Sequence, residues 1–248
     1  MSNFWSLSYQ LAKAEFKLRN EGSYLGILWY LLNPLLTFLL LLLIFEDRLG
    51  KGIPKYPLYL LLGIIMFNFF QQATQESVRV IWRNSVIKSL NFPKETLVMS
   101  NVLKIIFSHA FELLLFIFVL IIYGNFNSGI LIYLIILFFL FIFVYGFSLM
   151  LASLSVYFVD LNNIWTFVSR LVWLGTPIFY AVEGQTRLGI LNLFNPMYYF
   201  ITVSRDIIIY SRIPEMWVVL GMMIYSFLFL IAGMFIFNKL KYKFAELI

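Results

Sequence analysis

Between Glu112 and Asp160 the chain carries no charged residue, and the stretch is broken only by the turn sequence Gly124-Asn125-Phe126-Asn127-Ser128-Gly129. A helix crossing about 30 Å of hydrocarbon at about 1.5 Å per residue needs roughly 20 apolar residues. The stretch therefore reads as two membrane spans joined by a tight turn. Four further runs of this kind give six expected spans: Leu25 to Phe45, Leu58 to Gln75, Ile105 to Tyr123, Ile130 to Phe158, Ile164 to Ala181 and Trp217 to Phe237. The remaining composition agrees. Of the 248 residues 62% are hydrophobic and 12% charged, whereas soluble domains carry about a quarter charged residues. The expected fold is an all-α integral membrane protein forming one transmembrane domain over residues 1–248.

The net charge of +6 then reports orientation rather than nucleic-acid binding. With both termini inside, the inner segments hold Lys13, Lys17, Arg19, Arg79, Arg83, Lys88, Lys94, Lys104, Arg170, Lys239, Lys241 and Lys243, twelve of the eighteen positive charges. The outer segments hold Arg48, Lys51, Lys55, Arg187, Arg205 and Arg212. This bias predicts cytoplasmic termini.

Three segments do not fit simple spans. Residues 1–24 are too polar between Gln10 and Glu21 for a signal peptide. Ser6, Gln10, Lys13, Lys17 and Asn20 share one helical stripe and Phe4, Leu7, Leu11, Ala14 and Leu18 another, which predicts a helix lying in the headgroup plane. Residues 79–104 carry five of the eighteen positive charges and read as a cytoplasmic loop. A short amphipathic helix with Val86, Ile87 and Leu90 is expected there, then a break at Asn91-Phe92-Pro93 and a new helix with Pro93 and Glu95 in its first turn. Residues 182–215 are apolar but interrupted by Arg187, Pro196, Arg205, Asp206 and Arg212, which predicts two short helices dipping into the outer leaflet and returning.

Within the spans, Pro34 and Pro177 are expected to kink the first and fifth helices. Glu112 and His109 share a face of the third span and read either as an intramembrane proton relay or as a structural pair. Catalytic chemistry is otherwise sparse. The absence of cysteine and the single histidine remove disulfides, thiolate metal sites and most histidine triads. No Walker loop is present to cradle nucleotide phosphates, so ATP-driven work falls to a partner.

The order of elements resembles the transmembrane permease subunit of type-two ABC exporters, in the branch that moves polysaccharide, O-antigen or teichoic-acid chains on lipid carriers. The likeness rests on Lys17-Leu18-Arg19, Leu25-Gly26-Ile27-Leu28-Trp29 with Pro34, Ile87-Lys88-Ser89-Leu90-Asn91-Phe92-Pro93-Lys94-Glu95, Asp160, Pro177-Ile178-Phe179-Tyr180, Asn195-Pro196 and Phe244-Ala245-Glu246. The resemblance implies an interface helix beside a lateral opening and a coupling loop seated in the ATPase, with Ser85, Lys88, Asn91, Phe92, Pro93, Lys94 and Glu95. It also implies an outer gate of two helices, Arg187 to Phe194 and Met197 to Tyr210, with Arg187, Asn195, Pro196 and Arg205 as its marked residues. Two permeases would pair around a channel with two ATPase subunits, which hold ATP and Mg, so this chain carries no cofactor, metal or catalytic group and is not itself an enzyme.

In such a channel aromatic rings stack on sugar CH faces, and Trp29, Tyr30, Tyr145, Trp165, Trp173, Phe179 and Tyr180 are the candidate lining residues. Lys13, Lys17 and Arg19 would attract carrier phosphate at the inner headgroup level. The implied setting is the cytoplasmic membrane. Two other readings stay open: an exporter of drugs or small lipids, and a membrane enzyme acting on lipid-linked sugars with Glu112 and His109 as acid and base.

Overall fold

The computed structural model describes residues 4–21, 24–83, 93–182 and 186–244. Among them the long elements are all helices: α1 (Phe4–Asn20), α2 (Trp29–Phe45), α3 (Tyr56–Arg83), α4 (Glu95–Ile122), α5 (Gly129–Tyr157), α6 (Leu161–Gly175), α7 (Thr186–Leu193), α8 (Pro196–Ser204) and α9 (Met216–Leu240). A five-residue π segment, Arg205–Ile209, continues α8.

Five helices are long and apolar enough to cross a membrane: α2 with its preceding turn, α3, α4, α5 and α9. In α3 78% of the apolar stretch is buried and in α9 17%, so α3 is the axis of the bundle and α9 an outer helix. Its partners meet α3 through aromatic rings. Phe70 of α3 stacks on Phe143 at 5.6 Å and packs edge-on against Phe147 at 5.7 Å and Trp165 at 6.1 Å.

The expected fifth span takes a different form. Helix α6 holds 15 residues, about 22 Å at helical rise, and stops at Gly175. Thr176 is extended at ψ 136° because the ring of Pro177 crowds the residue before it out of the helical region. Pro177 therefore ends a helix rather than kinking one, whereas Pro34 does lie inside α2.

Helices α5 and α9 form the most extensive pairing, at a place where both are glycine. A Cβ on Gly233 would strike the backbone of Gly146, and a Cβ on Gly146 would strike Phe229 and Leu230. Small residues permit this approach, the usual basis of helix association in lipid.

The turn between α4 and α5 is the predicted one, with Gly124 at φ +61° and Asn127 Oδ1 accepting from the Gly129 amide at 2.9 Å. At Asn195-Pro196 the predicted break is an N-cap: the Asn195 side chain accepts from the Met197 amide at 3.1 Å and Pro196 opens α8.

Helices reach into the loop expected over residues 79–104, since α3 runs to Arg83 and α4 starts at Glu95. The short helix expected there around Val86, Ile87 and Leu90, together with Ser85, Lys88, Asn91 and Phe92, lies outside the described residues.

Candidate functional site

At one end of the bundle, the start of α4 is tied to the turn that follows α9. Lys94 donates to the Lys241 carbonyl at 3.1 Å, and Lys241 pairs with Glu95 at 2.6 Å. Glu95 sits in the first turn of α4, where a carboxylate meets the positive end of the helix dipole. Phe244 is fully buried against Val80, Ile81, Leu97 and Val98. Pro93 is exposed. On both sides of the basic loop, residues of α3 and α4 thus pack against the turn after α9.

Helix α1 docks with only part of its leucine stripe, Leu7 and Leu11 being half-buried. Ser8 and Ala12 are its buried residues, while Leu18 is 66% exposed. Small side chains let α1 lie closely along α4, and polar groups lock it there. Lys104 of α4 reaches Glu15 of α1 at 3.0 Å and Glu76 of α3 at 2.6 Å, and Arg19 closes the chain on Glu76 at 3.2 Å. Lys104, counted above among the loop charges, is buried in the bundle, with a side chain 8% exposed. Lys13 and Lys17 are exposed, and Lys17 pairs loosely with Glu21 at 3.7 Å. Lys13, Lys17 and Arg19 are therefore not equivalent: two face outward, and the third belongs to an ion-pair chain.

Beside this network lies a cavity of ≈ 420 Å³ walled by Arg19, Trp29, Tyr30, Asn33, Gln72 and Glu112 among others. Four of these residues stood out in the sequence for separate reasons, and the fold brings them together. Gln72 and Asn33 did not stand out; the available signal was that Gln72 and Glu76 lie four apart on α3, as Glu15 and Arg19 do on α1. Glu112 and His109 are both buried, with Glu112 Oε2 3.2 Å from His109 Nδ1 and the Tyr133 hydroxyl 2.9 Å from His109 Nε2.

At the opposite end, α7 and α8 occupy nearly the predicted ranges. Arg187 and Pro196 mark their starts; Arg187 is exposed, and Asn195 donates to Thr176 Oγ1 at 2.8 Å. Arg205 is buried at 3% exposure. Its guanidinium donates to the carbonyl oxygens of Tyr59, Pro177 and Ile178 at 2.6 to 3.2 Å and lies 3.2 Å from the Tyr59 ring centre. Pro177 and Ile178 lie in the non-helical stretch after α6, and Tyr59 belongs to α3, so the guanidinium joins that stretch to α3. Gly63 leaves room for this head, since a Cβ there would sit 2.7 Å from Arg205 Nη2.

The π segment that follows widens the helix and turns carbonyls outward. Asn125 donates to the Ile208 and Ile209 carbonyls at 3.2 and 3.1 Å, and Asn127 to that of Ile208 at 2.8 Å. A turn legible in sequence only as punctuation is thus a clamp on the outer segment.

A family model described as "ABC-2 type transporter" matches residues 7–209. This chain belongs to the ABC-2 type transporter family. It is 25% identical to the O-antigen export system permease protein RfbA of Myxococcus xanthus over 245 residues, covering 97% of this chain and 94% of that protein. It is 28% and 27% identical to two proteins of the same name from Klebsiella pneumoniae, each covering 96% of this chain and 93% of the relative. Membership of the ABC-2 family implies an ABC ATPase partner and a multi-pass membrane setting.

The aromatics marked as lining candidates in this ABC-2 chain fall into separate places. Trp29 and Tyr30 wall the cavity beside α1. Trp173 and Phe179 meet at 5.5 Å, Phe179 stacks on Phe45 at 5.0 Å, and Tyr180 donates to the Gly175 carbonyl at 2.7 Å. Trp165 turns inward, 6% exposed, and donates to Thr74 Oγ1 at 3.2 Å. Tyr145 is half-buried and stacks on Phe141 at 6.2 Å.

Proposed function

We propose that the chain is the permease subunit of an ATP-driven exporter that moves a polysaccharide or lipid-linked glycan across the cytoplasmic membrane. The observation that carries this reading is the near full-length likeness to three O-antigen export permeases. Two copies pair around the transport path, and two ABC ATPase subunits hydrolyse ATP with Mg outside this chain. Both termini face the cytoplasm, in keeping with the twelve positive charges on that side. The loop containing Ser85, Lys88, Asn91 and Phe92 then faces the ATPase, and Pro93, Lys94 and Glu95 pass its movement to α4. Helices α7 and α8, with Arg187, Asn195, Pro196 and Arg205, close the outer end. Exposed Lys13 and Lys17 meet carrier phosphates at the headgroup level.

An enzyme built on Glu112 and His109 is the weaker reading, because both ring nitrogens of His109 face protein groups, Glu112 and Tyr133. Deleting the gene tests the export reading. Surface glycan is expected to disappear and lipid-linked glycan to accumulate inside the cell, measured by glycan extraction from intact and lysed cells; undiminished surface glycan overturns the reading.

A further inference from the structure

The seam between α3 and α6 is polar. Gln75 donates to Asn162 Oδ1 at 3.1 Å and to Thr166 Oγ1 at 2.8 Å, and Arg79 donates to the same Asn162 oxygen at 2.7 Å. Gln71 stands four residues before Gln75, and Arg170 four after Thr166, so the strip continues by one turn along each helix. Arg170 is exposed. Among the described residues its guanidinium has neither a hydrogen bond nor an ion pair. The start of α6 is tied to Gln75, and the stretch after its end is tied to Tyr59, whose hydroxyl donates to the Pro177 carbonyl at 3.3 Å. Those two residues of α3 stand about 24 Å apart at helical rise. Arg170 falls eight residues after Asn162 and seven before Pro177, near the middle of that distance.

A charge exposed to hydrocarbon at such depth is costly, and charges found there face a bundle interior or water. A second copy of this chain brings no free carboxylate to meet Arg170. Within the spanning helices, among the described residues, Glu76 is held by Lys104 and Arg19, Glu95 by Lys241, and Glu112 is buried against His109. Asp160 precedes α6 and stands about 15 Å from Arg170 along the helix. The anion that complements Arg170 is therefore one that passes by. A lipid-linked glycan carries phosphate esters, which a guanidinium holds through paired, charge-assisted hydrogen bonds. We propose that the strip is this chain's wall of the transport path and that Arg170 binds a phosphate ester of the lipid-linked substrate midway across. The proposal rests on the export reading and adds the group that the path recognises. The link to the carrier lipid and a phosphate within the glycan share this chemistry, and the test separates them.

The test uses the complete permease–ATPase complex in lipid nanodiscs. The chain has no cysteine, so Arg170→Cys and Leu171→Cys report the water access of two neighbouring faces at one depth. During ATP turnover a charged thiol reagent is expected to modify Arg170→Cys about tenfold faster than Leu171→Cys, read by mass spectrometry of this chain. Equal rates overturn the wall assignment. A second arm measures stimulation of ATP hydrolysis by the lipid-linked glycan extracted from cells lacking this chain. Arg170→Gln is expected to need about tenfold more extract for half-maximal stimulation and Arg170→Lys about threefold, at unchanged melting temperatures because the guanidinium bonds nothing in the chain. An unshifted half-saturation, or equal shifts in the two variants, overturns phosphate binding at Arg170. Mild acid splits the extract into free glycan and carrier lipid phosphate, each tested as a competitor. Competition by the carrier lipid phosphate that Arg170→Gln abolishes and Arg170→Lys keeps assigns the lipid link; the same pattern with free glycan assigns a phosphate within the glycan. Competition indifferent to both variants, or none at all, overturns the assignment. A wild-type complex that the extract does not stimulate overturns the export reading and this proposal with it.

Discussion

Arg205 donates to three backbone oxygens from two segments far apart in the chain, those of Tyr59, Pro177 and Ile178. Its flat fork of donors suits this work, which a lysine ammonium serves poorly. Arg205→Met would leave those buried carbonyls without the donor and is expected to destabilise the chain by about 2–4 kcal/mol, read as a lower melting temperature in detergent; Arg205→Lys is expected to fall between. A melting temperature unchanged in Arg205→Met would show that the fork does not hold the segment. In the sequence Arg205 stood out as a charge interrupting an apolar segment and, by resemblance, as a residue of an outer gate. Its partners were not legible, because Tyr59 lies 146 residues away and a carbonyl oxygen has no side-chain signature.

The elements divide by how local their causes are. The break at Asn195-Pro196 and the turn at Gly124 follow from the restricted backbone of proline and glycine, and both were legible. The end of α6 follows from the same physics, since Pro177 excludes helix from Thr176, yet a hydropathy run hides it because both flanks are apolar. The packing of α1 has a different cause: its two stripes say nothing of its close contact with α4, where Ser8 and Ala12 are the fully buried residues while Leu18 stays outside. Close approach also decides the α5–α9 pair. Gly146→Leu is expected to force these helices apart and to make them the first to lose protection in hydrogen exchange, while α3 and α4 keep theirs. Uniform loss of protection across the bundle would contradict a local role for the glycine contact.

At the scale of the molecule, α3 and α4 form a rigid centre whose loop end is braced by Lys94, Glu95, Lys241 and Phe244. On the proposed reading, movement of the basic loop would pass to α4 through these contacts. Lys88→Glu or Phe92→Ala is expected to abolish substrate-stimulated ATP hydrolysis by the assembled transporter while leaving assembly intact. Stimulation that persists in both variants would count against docking through this loop.

The amino-acid sequence by itself determined the membrane class, most of the long apolar helices, the two short helices after α6 and the positions of the main breaks. Hydrocarbon length, charge exclusion and the backbone limits of glycine and proline act over a few neighbouring residues or along one helix. Only the tertiary structure decided which polar groups meet: Glu15, Arg19, Glu76 and Lys104 in one ion-pair chain, and Tyr30, Gln72 and Glu112 around one cavity. Helices such as α5 and α9 are apolar nearly all round, so periodicity does not tell which face turns inward. That choice belongs to side-chain fit between helices, and with it the place of each scarce charge.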